Sequence, residues 1–273
     1  MSYCIVSNIC GIDMPHYEES LERLEKNVKS LYGDSIITSF TKGQPKSKPL
    51  EITERENHEG FSYLSKFYAL KDAIEQHNPE YVIWTDSTMF LQNVFLERSK
   101  SILDQNGVML LSGYDGLRYG LEWWANDRFF DIIKEKRSSY KMPFITGGLY
   151  GIKISHPNGK LFWEQMTFYS DISNIWFGSS GFPWRPDDVG TDKISLDERV
   201  KGHRHDQCVM SHIVIQNNLP IYDEKQNPML YTQSYIQEQY MKDPSKSSYH
   251  FPADAPVIHY PTRAHFEGTL SNK

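Results

Sequence analysis

The run Tyr81-Val82-Ile83-Trp84-Thr85 constrains the fold more than any other segment, because its five residues are apolar, aromatic or β-branched with no polar alternation. Such a run reads as a strand buried on both faces, the pattern of a parallel sheet covered by helices. It ends at Asp86-Ser87-Thr88, just ahead of a second apolar run, Met89-Phe90-Leu91. Parallel sheets place their ligand sites at the carboxyl ends of their strands. A carboxylate at that point stands where a metal-bound diphosphate can be held.

The chain opens in the same architecture. Residues 3–9 read as a buried strand, and Pro15 suits the first turn of a helix. Residues 16–31 carry Leu21, Leu24 and Val28 at helical spacing, and 35–40 read as a second strand. A β-α-β start favours parallel strands with a right-handed crossover. Residues 41–59 are polar, with Gly43, Pro45 and Pro49, and predict a loop. Helices are expected over 61–76, 94–105, 122–137, 161–169 and 205–217, and strands over 107–114, 146–154 and 257–260. Residues 170–204 form a long polar and aromatic stretch, the kind that serves as a functional lid. The expectation is an α/β protein with a mostly parallel central sheet flanked by helices. It is one domain over 1–273.

Charge and cysteines narrow the function class. The net charge is −6 and no long basic run occurs, which argues against nucleic acid as a partner. Three cysteines, Cys4, Cys10 and Cys208, have neither disulfide nor metal spacing and fit a reducing compartment. No segment is apolar for the roughly 18 residues that span a bilayer, and the first residues lack a signal-peptide pattern. These features point to the cytoplasm of a bacterium or of a virus-infected cell.

Four segments carry chemistry. At Trp84-Thr85-Asp86-Ser87-Thr88, hard oxygen ligands suit Mg²⁺ or Mn²⁺, although Asp, Ser and Thr also cap helices. At Thr146-Gly147-Gly148, paired glycines let a backbone approach a ligand closely, or simply turn the chain before a strand. At His203-Arg204-His205-Asp206-Gln207, an Asp-Gln pair opens a helix. It can exchange hydrogen bonds with sugar hydroxyls, or Asp206 can merely start the helix. The two histidines there are weak grounds for a metal. At Val257-Ile258-His259, a late histidine can ligate a metal or donate to a phosphate, or be structural.

In order and spacing these segments resemble nucleotide-sugar glycosyltransferases of the GT-A fold, in particular the retaining glycogenin and bacterial galactosyltransferase type, and also capsular or viral glycosyltransferases. The resemblance runs from about Tyr3 to His259. It implies transfer of a sugar from a nucleotide-diphosphate donor to a glycan hydroxyl, with Mn²⁺ or Mg²⁺ as cofactor. Asp86, Thr88 and His259 would then hold the metal, with Thr88 replacing the family's second aspartate by a weaker ligand. Ser7, Asn8, Lys66, Asp86, Thr146, Gly147 and Gly148 would bind the donor, and Asp206 and Gln207 would stand at the reacting carbon. Trp176, Trp184 and Arg185, in the long aromatic stretch, are the candidates for acceptor contact. Two rivals remain. A nucleotidyltransferase would carry a Gly-rich basic loop after the first strand, which Cys10-Gly11-Ile12-Asp13-Met14 is not. A non-catalytic sugar-binding protein of the same fold would accommodate Thr88 more easily.

Overall fold

A computed structural model describes residues 2–10, 15–59, 62–112, 120–140, 145–179, 194–222, 229–231 and 255–259. Five strands form the central sheet: β1 (Tyr3–Ile9), β2 (Ile37–Lys42), β3 (Tyr81–Thr85), β5 (Val108–Ser112) and β6 (Ile145–Lys153). Their order is β2-β1-β3-β6-β5. β1 pairs parallel with β2 and β3, whereas β6 runs antiparallel to both β3 and β5. The mostly parallel sheet is therefore interrupted by one reversed strand. All five residues of β3 are buried, as its unbroken apolar run requires.

The register sets the working edge. Val6 pairs with Trp84, so Ser7 and Asn8 come level with Thr85 and Asp86 at the carboxyl end. β6 pairs with β3 through Thr85 and Leu149, which brings Gly147 and Gly148 to that edge from the reversed strand. A second sheet, β4 (Met89–Leu91), β8 (Val257–His259) and β7 (Leu230–Tyr231), lies in the order β4-β8-β7. It pairs Met89 with His259.

Helices cover both faces. α1 (Pro15–Tyr32) and α4 (Phe95–Asn106) pack one apolar cluster with Ile5, Ile83 and Met109. α3 (Leu64–His77), α7 (Pro157–Asp171) and α8 (His205–Asn217) pack the other with Val82, Trp84 and Tyr150. No helix among the described residues is long and apolar enough to cross a membrane.

Two expectations fail for physical reasons. The stretch 41–59 is not all loop: α2 (Leu50–Glu59) forms there, burying only Ile52 of its own residues. An apolar stripe one residue wide leaves no periodicity to see. The helix is tied down instead by a buried Lys48–Glu56 ion pair, and Lys48 also donates to Ser65 Oγ at 2.9 Å. The expected helix over 122–137 is split into α5 (Leu121–Trp124) and α6 (Asp127–Ile133). Ala125 and Asn126 are extended between them, and Asn126 Oδ1 caps α6 by accepting from Phe129 N at 2.8 Å.

Candidate active site

The chemistry-bearing segments meet in one cleft of about 190 Å³, lined by Tyr63, Lys66, Asp86, Gly147, Gly148, Arg204, His205, Asp206 and Gln207. Each wall follows from local sequence. Asp86 leaves β3 at the sheet edge and opens a tight turn, with Met89 N donating to Asp86 O at 3.0 Å. Asp206 sits in the first turn of α8, where the helix dipole favours a carboxylate. Lys66 reaches in from the first turn of α3.

Lys66 is the centre of the cleft. Its Nζ lies 3.0 Å from Asp86 Oδ1 and 3.3 Å from Asp206 Oδ2, and donates to Gly147 O at 2.9 Å. Its ammonium also stands 5.1 Å from the Tyr63 ring centre and 5.4 Å from that of Trp84, within cation–π range. Trp84 Nε1 donates to Asp86 Oδ1 at 2.9 Å, so that oxygen serves two donors.

The two carboxylates differ in setting. The Asp206 side chain is 7% exposed and that of Asp86 36%. Burial raises the Asp206 pKa above the ordinary carboxylate range, with Lys66 working against the shift and Asp86 adding to it. Burial works to lower the Lys66 pKa, but Asp206 and Asp86 outweigh it and the net shift is upward. Asp206 Oδ2 has the Lys66 ammonium at 3.3 Å and no well-directed hydrogen bond among the described residues. It is a basic, under-satisfied oxygen facing a cleft, the condition that suits a carboxylate to take up a proton or a hydroxyl.

The floor admits no side chain. A Cβ on Gly147 would stand 2.6 Å from Asp206 Oδ2, and one on Gly148 2.8 Å from Met89 Cε and 3.2 Å from Asp86 Oδ2. Two lining residues adopt positive φ although neither is glycine: Tyr63 at 60° and His205 at 41°. Strain of this kind persists where surrounding structure over-determines it, and it clusters at functional sites.

Of the sequence-derived candidates, Lys66, Asp86, Gly147, Gly148, Asp206 and Gln207 line the cleft together. Gln207 Nε2 donates to Ile145 O at 3.2 Å, locking α8 to the start of β6. Ser7 is fully buried at the same edge, and its Oγ has no partner among the described residues. Asn8 spends its amide on the sheet, donating to Thr41 Oγ1 at 2.8 Å and Gly43 O at 3.0 Å. Thr146 is half-buried on β6 and does not line the cleft.

Three candidates need correction or lie elsewhere. Trp176, expected to offer an exposed face to an acceptor, is fully buried. Its Nε1 donates to Tyr169 O at 2.8 Å, and its carbonyl accepts from His205 Nδ1 at 2.9 Å. It therefore supports the site from inside the core. Trp184 and Arg185 fall within 180–193, outside the described residues. His203 is fully buried and serves the core through Ile175 O and Asn126 N, not a metal.

The metal implied by the resemblance does not fit the described donors. Thr88 is buried in the turn and does not line the cleft, so its hydroxyl is not presented there. Asp86 Oδ1 is already shared by an ammonium and an indole N–H. His259 is placed beside Met89 by strand register, and its imidazole lies outside what is described. Among the described residues no three His, Cys, Asp or Glu side chains are grouped to hold an ion.

Sequence reasoning missed Tyr63 and Arg204. Arg204 packs over the Trp124 ring at 4.3 Å and brings a second cation to the cleft. Its position two residues before Asp206 was the one available signal. Nothing in the sequence announces the left-handed backbone that turns Tyr63 inward.

No family model matches this sequence, and no curated protein matches it. Among solved structures, the bifunctional glycosyltransferase WbbM, in its apo form, aligns with a TM-score of 0.50 and 11% identity, covering 96% of this chain and 46% of that one. A glycosyltransferase involved in glycosylation of the major capsid of PBCV-1 aligns at 0.49, with 14% identity and full coverage of both chains. Mouse xyloside xylosyltransferase 1 aligns at 0.44, with 10% identity, covering 96% of this chain and 98% of that one. At 11% identity the likeness to WbbM is one of fold alone, a GT-A-like α/β fold.

Proposed function

We propose that the cleft transfers a sugar from a nucleotide-diphosphate donor to a hydroxyl of a glycan acceptor. One observation carries the reading. Two carboxylates of different burial and one ammonium converge over a glycine floor at the carboxyl edge of the sheet. That is where α/β sheets bind nucleotides, and the glycines let Asp206, Gln207 and Asp86 close against the backbone of β6.

The residues then divide the work. Lys66 and Arg204 face the diphosphate, and Gly147 and Gly148 let the carboxylates of Asp206 and Asp86 reach the floor of the cleft. Asp206 and Gln207 hold the sugar at the mouth of α8. In the reaction the bond from the sugar's anomeric carbon to the diphosphate oxygen breaks, and its electrons leave with the nucleotide. The acceptor oxygen forms the new bond. Its proton goes to Asp206 in an inverting reaction, or to the departing phosphate in a retaining one. No step is routed through a metal.

The test is calorimetric titration with uridine and guanosine diphosphate sugars, followed by an assay for released nucleotide. Binding and release support transfer; binding without turnover in the presence of glycan acceptors would leave a nucleotide-sugar-binding protein. No binding of any nucleotide diphosphate would end the reading.

A further inference from the structure

We infer that Lys66 stands in the place, and takes the charge role, of the divalent ion that the resemblance implies, so that this protein binds a nucleoside diphosphate and stabilises its departure without metal. The inference rests on the glycosyltransferase reading above. Its basis is the oxygen set around Nζ: Asp86 Oδ1 at 3.0 Å, Asp206 Oδ2 at 3.3 Å and Gly147 O at 2.9 Å. Two carboxylates and a carbonyl are the hard ligands a divalent ion seeks. Here they surround an ammonium that donates to Gly147 O and lies in ion-pair range of both carboxylates.

The position is fixed on every side. The Lys66 side chain is 12% exposed, and the Tyr63 and Trp84 rings flank the ammonium. An ion entering the same oxygens would meet a like charge at contact distance. The position to which the resemblance gives a second aspartate holds Thr88, which is neutral, buried and absent from the cleft lining. Arg204, on the wall that carries Asp206 and Gln207, brings a second positive charge, a guanidinium, to the cleft lining. When the bond between sugar and diphosphate breaks, the negative charge gathering on the phosphate oxygen is met by these pre-positioned groups.

The experiment titrates UDP and GDP into the protein by calorimetry, once in excess EDTA and once in millimolar Mn²⁺. For the wild type, the Kd of the bound diphosphate should agree between the two within about threefold. Lys66→Ala should weaken binding in EDTA by at least about tenfold. Without nucleotide, Mn²⁺ should raise the melting temperature of Lys66→Ala and leave the wild type unchanged, because only the variant frees both carboxylates. Wild-type binding that appears only with Mn²⁺, or tightens more than about tenfold with it, would overturn the inference and leave glycosyl transfer standing. If neither diphosphate binds in either arm, the glycosyltransferase reading falls and the inference with it. The wild-type arms decide the matter even where Lys66→Ala does not fold.

Discussion

The two edges of the central sheet carry charge clusters built from the same parts and put to opposite uses. At the amino edge of β3, Asp104 accepts from Tyr81 Oη at 2.6 Å and from Lys153 Nζ at 2.7 Å, and Lys100 pairs with it as well. Tyr3 stacks on Tyr81 with ring centres 4.6 Å apart. At the carboxyl edge, Asp86 and Asp206 share Lys66. In the first, Asp104 has its donors supplied by Tyr81, Lys100 and Lys153, and the unsatisfied group is the neutral Tyr3 hydroxyl. In the second, the buried and unsatisfied group is a carboxylate oxygen, Asp206 Oδ2, and two residues with positive φ line the cleft beside it. A carboxylate whose donors are all supplied by its own chain stabilises that chain. One left short inside a cleft is kept for something else.

Substitutions at the two edges should therefore separate activity from stability. Asp206→Asn should lower kcat by roughly 100-fold or more, as removal of a group positioned for proton transfer does. It should melt at or above the wild-type temperature at neutral pH, because an ionised carboxylate with a raised pKa is held in the fold at a cost. Turnover and melting measured on the same preparation check this. A melting temperature well below wild type with turnover intact would make Asp206 structural.

Gly147→Ala tests the floor. Its methyl would press on Asp206 Oδ2 and Gln207 Cγ, at 2.6 and 3.0 Å. The expected cost is about 1–3 kcal/mol of stability, read by denaturant unfolding, together with a weaker Kd for nucleotide. An unchanged Kd would mean that the closure of Asp206 and Gln207 on this backbone does not shape the nucleotide site.

Away from both edges, His212 is clamped between Tyr140 Oη at 2.8 Å and Tyr169 Oη at 2.7 Å. Burial pushes its pKa down to about 4. The unfolded chain therefore binds the proton more readily. The stability this gives is full above the ordinary histidine value of about 6.5 and is lost as pH falls toward about 4, by at most about 3 kcal/mol. His212→Gln should flatten that part of the pH–stability curve and leave turnover at neutral pH in place.

The smallest effect belongs to the amino edge. Asp104 has its pKa held well below the carboxylate range by hydrogen bonds from Lys100, Lys153 and Tyr81. Its contribution is present above the unfolded value of about 4 and fades as pH falls below it. Asp104→Asn should lower the melting temperature slightly at neutral pH and change neither kcat nor nucleotide affinity. A loss of activity would break the contrast between the edges.

Much of this was legible in the sequence, and the parts that were not share a cause. The buried run Tyr81–Thr85, the helical spacing of Leu21, Leu24 and Val28, and helix His205–Asn217 all rest on local periodicity, and all formed. The reversal of β6 depends on which strands it pairs with, and no local pattern encodes that. α2 stayed hidden because its anchor is one buried ion pair, not an apolar face. In the site, Asp86, Asp206 and Gln207 could be picked out as chemistry at element ends. That Lys66 joins the two carboxylates is a contact across 20 residues on one side and 140 on the other, set by tertiary packing alone. Trp176 misled for the complementary reason: an aromatic in a polar stretch reads as exposed, yet Ile175, Trp176 and Phe177 together fill the core.

The most direct test is a crystal structure of the protein soaked with a nucleoside diphosphate. The account predicts the diphosphate in the cleft between Lys66 and Asp206, with a phosphate oxygen within hydrogen-bond reach of Lys66 or Arg204. A nucleotide seated at the opposite edge, near Asp104 and Lys153, would contradict it.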